Sequence, residues 1–415
     1  FHAEAAIRDP LWSRGLGDVY KRQVVGTPSL GKKGCIHTYK LSERDVIDTS
    51  EPVYALNGHI DDGFGISCKL SAVSASVIRL IVGAHRKTEE SVSTGAAYIY
   101  ESTDFGNSWN FKDQLLPSVS NHKSFFGCSV DINDDIAIVG AHGDNTEGWR
   151  VGSVTIFKEI KPGKWQSIRT LLPGTFSNNG GQSIRPTCSY FGFSVSLSKQ
   201  FIAIGSPSER TQGSVYLFHT NDSWDSDNVL SHRIEGDNRF GFSVKLSEEQ
   251  LIIGSPGVEG NPGKACIYNT SAFFDASLGF IPAALSQKPT YCDTLRTKSK
   301  SSKALFGRDV DIYDDFVVVS GFGKNDDEFV GSAFLFLKNN NKIDIEPVAC
   351  IRDKNAAQLF GHSISINNKF VVVGDPTSDN VHVYLIRNLI AGNNKRWHNS
   401  SHCIEAPEEY LLEIH

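Results

Sequence analysis

The chain has 415 residues, is 40% hydrophobic and 21% charged, and carries a net charge of −6. That length and apolar content can bury a large core, and the lack of any basic block argues against a nucleic-acid partner. No apolar run approaches the roughly 18 residues that a membrane span needs.

Residues 1–23 match nothing else in the chain. They resemble adapter read-through at the end of a transcript-derived sequence and are set aside as a non-native or disordered tail. The alternative is a divergent first strand. If the stretch is foreign, a signal peptide and one strand are missing. Residues 24–63 then read as two strands (Val24-Val25 and Cys35 to Tyr39) and an outer strand near Val53 to Leu56.

The stretch Phe126 to Phe157 is the clearest unit. Phe126, Cys128, Val130 and Ile132 alternate, Asn133-Asp134-Asp135 breaks the run, and Ile136 to Val139 leads into Gly140-Ala141. A polar loop follows, then Gly152 and a second alternating run to Phe157. Short period-two runs bounded by Asn, Asp and Gly are strands joined by turns. Phe-Gly pairs recur at Phe64, Phe126, Phe191, Phe240, Phe306 and Phe360. The slot held by Gly140 recurs as Gly26, Gly83, Gly205, Gly254, Ser320 and Gly374, and the third-strand glycine as Gly34, Gly95, Gly213, Gly263 and Gly331. An insertion near residues 71–75 lengthens the second copy. A fixed inner phase with variable outer spacing means fixed strands and free loops, the signature of a propeller-like array.

The fifth copy carries the longest excursion, 271–304. Its apolar half, FFDASLGFIPAALSQ, is compatible with a short helix, and its basic half, Arg296 to Lys303, reads as a solvated loop. Residues 406–415 form a tail or a closing strand.

Phe-Gly-x-Ser-Val, Val-Gly-Ala/Ser-Pro and Gly-Ser-x-Tyr-x-Phe together resemble the FG-GAP repeat, over roughly residues 24–400. The short first turn and the later Trp109, Trp165 and Trp397 look more like the bacterial and protist type than the integrin alpha-chain type. The resemblance implies an all-β, seven-bladed β-propeller of four-stranded blades at 24–405, with the first strand of blade one missing. It also implies an extracellular or cell-surface location and a protein or glycan ligand. Three sequons, at Asn221, Asn269 and Asn399, agree with a glycoprotein. By the same resemblance the chain is expected to be a monomer or part of a larger adhesion receptor.

In FG-GAP proteins the second-to-third and fourth-to-first strand loops share one face. That face would gather His85, Arg86, Lys87, His142, Asp144, Glu209, Arg210, Lys324 and Asp326 as ligand contacts. Arg308 and His362 occupy a slot that is Ile66, Cys128, Phe193 or Phe242 in other copies. Buried charge is costly without a partner. The two therefore reach the rim, form a structural polar pair near Asp309, or make a ligand contact between adjacent blades.

No cofactor is expected. Integrin-like repeats bind calcium through a carboxylate-rich first turn, but here that turn is about three residues long, and the one lengthened turn, Ser71 to Ser76, has no carboxylate. Eight cysteines are scattered without a CxxC pair, which disfavours zinc; a disulfide through Cys188 or Cys292 stays open. No nucleophile, metalloprotease or phosphate-loop motif appears. The leading expectation is a non-catalytic binding or adhesion module. The alternative is a polysaccharide lyase or hydrolase, which would need two carboxylates, or a His with an Arg and a Tyr, converging at the axis.

Overall fold

A computed structural model describes residues 21–28, 33–41, 54–74, 76–89, 92–119, 121–173, 188–209, 212–220, 222–257, 263–275, 279–280, 292–295, 305–325, 328–339, 342–343, 346–352, 359–376, 380–393 and 410–413. The fold class is an all-β, seven-bladed β-propeller. The chain divides into two compact units, Phe1–Lys199 with Asp222–Asp227, and Gln200–Asn221 with Asn228–His415.

The first unit begins with a three-stranded blade, Lys21–Thr27, Lys33–Leu41 and Tyr54–Ile60. Its first strand starts three residues before Val24 and holds Gly26 in the second-strand slot. Blade two is Phe64–Ala72, Ile78–Ala84, Ala96–Ser102 and Asn110–Leu115. Blade three is Ser129–Asn133, Ile136–Ala141, Ser153–Lys161 and Lys164–Leu171, all antiparallel. The first strand of blade four, Ser194–Leu197, also belongs here.

The second unit holds Phe201–Ser206, Ser214–His219 and Leu230–Glu235 of blade four. Blade five is Ser243–Leu246, Gln250–Ser255, Lys264–Asn269 and Cys292–Leu295. Cys292 thus lies in an outer strand rather than a loop. Within the stretch compatible with a short helix, which a 3-10 turn at Thr270–Ala272 precedes, Phe274–Asp275 pairs with Gly279–Phe280 as a hairpin; residues 276–278 and 281–291 lie outside the described residues. Blade six is Val310–Tyr313, Phe316–Asn325, Glu328–Asn339 and Ala349–Ile351. Blade seven is Ser363–Ile366, Phe370–Asp375 and Asn380–Leu385, completed by Tyr410–Glu413 from the tail. Among the described residues one α-helix, Ile386–Asn393, follows the third strand of blade seven and was not expected from the sequence.

Within each unit, neighbouring sheets pack their apolar faces together. In the first unit, Ile81, Ile99 and Leu115 of blade two meet Phe126, Val130 and Val139 of blade three. In the second, Leu217 and Ile234 meet Val244 and Ile253, Ile267 meets Val310 and Val319, and Leu335 meets Ile364 and Val373. The Phe of every Phe-Gly pair is buried at these seams.

The glycines follow from the same seam. Gly192 has φ +85, and its carbonyl lies where a Cβ on Gly140 would stand; the Phe191 carbonyl likewise occupies the space of a Cβ on Gly152. Phe191 and Gly152 form a one-residue parallel bridge. The Phe-Gly peptide of one blade is therefore wedged between the second and third strands of the blade before it, and a side chain at either wall would push it out. The small residue after Phe-Gly adds a bond across the seam. Ser67 Oγ donates to Gly127 O at 2.9 Å, and Ser129 Oγ donates to Gly192 O at 2.8 Å.

A buried carboxylate two residues further on adds a clamp. Asp131 Oδ2 accepts from Leu197 N at 2.9 Å and from Ser196 Oγ at 3.2 Å. In the second unit Asp311 Oδ2 does the same with Ile366 N at 2.9 Å and Ser365 Oγ at 3.1 Å, while Lys245 Nζ approaches Oδ1 at 3.4 Å. Away from the Phe-Gly end, buried Arg79 ties blade two to blade three. It donates to Glu101 at 2.8 Å, Glu159 at 2.6 Å and Asp134 O at 2.8 Å, and faces the Trp165 ring.

Cys35, Cys68, Cys128 and Cys188 are thiols, so Cys188 forms no bridge, whereas Cys350 is disulfide-bonded. No helix among the described residues is long and apolar enough to cross a membrane.

Candidate functional site

Within a four-stranded antiparallel blade, the loops after strands two and four emerge at the end where Phe-Gly begins the first strand. We call this the Phe-Gly edge. In the first unit it carries a column of rings. His85 follows strand Ile78–Ala84 and lies over Gly63, where any side chain would strike the imidazole. The column continues from His85 to Phe125 at 5.9 Å between centroids, then to His142 at 5.1 Å with planes 7° apart. His142 meets Tyr190 edge-on at 5.8 Å and Phe193 at 5.5 Å.

Phe125 and Tyr190 stand immediately before Phe-Gly pairs and take φ +55° and +54°. Large side chains rarely adopt this left-handed backbone, and such strain clusters at functional positions. Arg150, also left-handed at φ +50°, closes the column. Its Nη1 donates to Tyr190 Oη at 3.2 Å, and its guanidinium lies 6.0 Å from the Tyr190 ring and 5.3 Å from that of Trp149. Trp149 is 65% exposed.

The two imidazoles are neutral near pH 7. Burial, then Arg86, lowers His85 to about 4. Burial, then His85 and Arg150, lowers His142 to about 4. The buried Nδ1 of His142 has no hydrogen-bond partner.

The residues singled out in the sequence fall into separate groups. His85 and His142 share the column, and Arg86 is exposed beside it. Asp144 serves its own loop. Its Oδ1 accepts from Asn121 Nδ2 at 2.7 Å and Thr146 N at 2.9 Å, and its Oδ2 from Ser153 Oγ at 2.6 Å. Glu209 is buried, bonded to Tyr216 Oη at 3.0 Å and paired with Arg233 at 2.9 Å. Arg210 and Asp326 lie outside the described residues, as does the side chain of Lys324.

In the second unit Arg308 and His362 do meet: Arg308 Nη2 lies 2.8 Å from His362 Nε2 at the surface. The guanidinium also stands 5.5 Å over the Phe242 ring. Asp309 is turned into the blade, accepting from Val310 N at 3.0 Å and Ile364 N at 2.8 Å. Burial, reinforced by Asp311, raises it to about 7.

No cluster of three or more metal-ligating side chains exists among the described residues. Phe125, Tyr190, Trp149 and Arg150 escaped the sequence reading. The available signal was the residue before each Phe-Gly pair, aromatic in blades three and four but Gly63, Arg239 or Leu359 elsewhere.

The FG-GAP repeat family model matches residues 109–157. No curated protein sequence matches the chain. Among solved structures, a mutant Trypanosoma rangeli sialidase displaying trans-sialidase activity aligns with TM-score 0.43 and 12% identity, over 90% of this chain and 60% of that one. The tricorn protease aligns with TM-score 0.44 and 8% identity, over 90% of this chain and 35% of that one. Sqt1 from Chaetomium thermophilum aligns with TM-score 0.41 and 12% identity, over 89% and 79%. The chain thus spans less than two thirds of the first two. The family match covers one blade interface, and the same Phe-Gly wedge recurs at other seams of both units, so the chain is a β-propeller that carries an FG-GAP repeat at residues 109–157.

Proposed function

We propose that this propeller is an extracellular, non-catalytic binding module that takes a protein or glycan ligand at its Phe-Gly edge. The observation that carries this reading is Trp149, 65% exposed on a loop and held by Arg150, itself braced on Tyr190. An exposed aromatic beside a fixed guanidinium is the composition of a binding hot spot, and a large apolar side chain left in water at a rigid loop points the same way. The disulfide at Cys350 supports an oxidising compartment.

The test uses the full chain on a glycan array and in pull-downs with candidate extracellular proteins. The expected result is a ligand whose binding drops at least roughly tenfold in Trp149→Ala and Arg150→Ala. Binding that ignores both substitutions overturns the reading.

One observation favours a polysaccharide-acting enzyme instead: His142, Arg150 and Tyr190 converge. A general base works best with a pKa near the working pH. His142, at about 4 and packed between rings, is poorly placed for that role. Turnover of any polysaccharide by the full chain, abolished in His142→Gln, would establish this second reading.

A further inference from the structure

We propose that the Phe-Gly edge of blades five to seven binds an acidic sugar, its carboxylate on Arg308 and its ring against Phe242. This deepens the binding-module reading and rests on it.

The slot two residues after the Phe is apolar or thiol in blades two to five (Ile66, Cys128, Phe193, Phe242) and becomes Arg308 and His362 in the last two. The geometry at Arg308 suits a carboxylate. Nη2 is anchored on His362 Nε2 at 2.8 Å, which fixes the plane of the fork. A guanidinium so held presents parallel N–H donors that match two carboxylate oxygens. Because Arg308 donates to Nε2, the neutral imidazole carries its proton on Nδ1 and offers a further donor.

The charge balance agrees. Burial lowers the Arg308 pKa; Asp309 opposes that shift, and Arg239, exposed and left-handed at φ +62°, adds to it. The neighbouring carboxylate, Asp309, is committed to backbone N–H groups of Val310 and Ile364 inside the seam. Phe242 supplies the second half of recognition, its ring centroid 5.5 Å from the Arg308 guanidinium carbon. A pyranose carrying a carboxylate joins a rigid C–H face to one negative charge, which fits an aromatic ring and a fork about 5.5 Å apart. A Glu or Asp side chain brings the charge on a flexible stem without that face.

The test is saturation-transfer NMR on the full chain in low-salt buffer, with glucuronate, glucose and a Glu-rich peptide as probes. Glucuronate should bind at least roughly tenfold more tightly than glucose, and Arg308→Gln should lose that margin. Arg239→Gln, at an exposed position, should weaken glucuronate severalfold. It carries the test if Arg308→Gln does not fold. Equal binding of glucose and glucuronate overturns the proposal, as does glucuronate binding unchanged in both variants. So does an Arg308-dependent signal seen only with the peptide. Ligand capture through Trp149 with no glucuronate signal overturns this assignment while leaving the binding-module reading intact.

Discussion

Phe125 and His142 lie face to face, their ring centroids 5.1 Å apart and their planes 7° from parallel. The contact joins the loop before one Phe-Gly pair to the loop after the second strand of the same blade. It also buries an imidazole against a ring held on strained backbone. Protonating that imidazole would place a charge in an apolar stack.

Stability of the first unit should therefore depend on acid. His85 and His142 sit at about 4 in the folded chain, against 6.5 when unfolded. The unfolded state binds more protons across that window. Their contribution is complete above about pH 6.5 and is lost as pH falls toward about 4, by up to roughly 1.4 kcal/mol per pH unit for each ring. Urea denaturation followed by tryptophan fluorescence from pH 8 to pH 4.5 measures it. His142→Gln should roughly halve the slope, and an unchanged slope would refute the assignment.

Asp309 should act in the opposite direction. Burial raises it to about 7 from an ordinary 3.8. The folded state then binds the extra proton between those values. The stability tied to this group is present below about pH 4 and is lost as pH rises through about 7. Asp309→Asn keeps an acceptor for Ile364 N and cannot ionise. It should gain stability over the parent above pH 7, by on the order of 1–3 kcal/mol at pH 8.5. Thermal melts of the two proteins at pH 6 and pH 8.5 give the comparison; an equal difference at both pH values contradicts it.

The scaffold was legible because the seam demands glycine at fixed phase. Gly140, Gly152 and Gly192 stand where another blade's backbone leaves no room for a Cβ, so their spacing survives every change in the loops. The clamps were less legible. Ser67 and Ser129 read as small residues, but their hydroxyls cross the seam to Gly127 and Gly192. Asp144 and Glu209 read as exposed acids of a binding face, yet hydrogen bonds within their own blades consume them. Acidic character marks a loop, while the direction of the side chain depends on partners distant in sequence. The Arg308–His362 pair was visible as a break in an apolar column, since the repeat supplied the expectation that it violates.

That same repeat predicts a graded cost at one slot. A Cβ on Gly140 would overlap the Gly192 carbonyl, which is backbone and cannot swing aside. At Gly374 the nearest obstacle is the Ser363 hydroxyl, which can rotate. Blade six already carries Ser320 here, and its hydroxyl accepts from Asp309 N at 3.0 Å. Gly140→Ala should cost about 3 kcal/mol and Gly374→Ala about 1 kcal/mol or less. Chemical denaturation of both variants checks the order, and equal losses would refute the wedge.

The Asp131 clamp should behave as a seam bond rather than a surface charge. Its Oδ2 accepts from Leu197 N and Ser196 Oγ, and its Oδ1 from Ile132 N at 2.8 Å, all buried. Asp131→Ala strands two backbone N–H groups away from water and removes one partner of the Ser196 hydroxyl. Each stranded donor costs about 1–3 kcal/mol where water cannot reach it. A total loss of about 3–4 kcal/mol follows if the seam opens partway to admit water. Asp131→Asn keeps an acceptor at one oxygen and should lose about half as much. Amide exchange at Leu197 gives the local reading, because it should accelerate in Asp131→Ala before exchange at Ile138 does. If the two amides accelerate together, the loss is global and the clamp has no separate role.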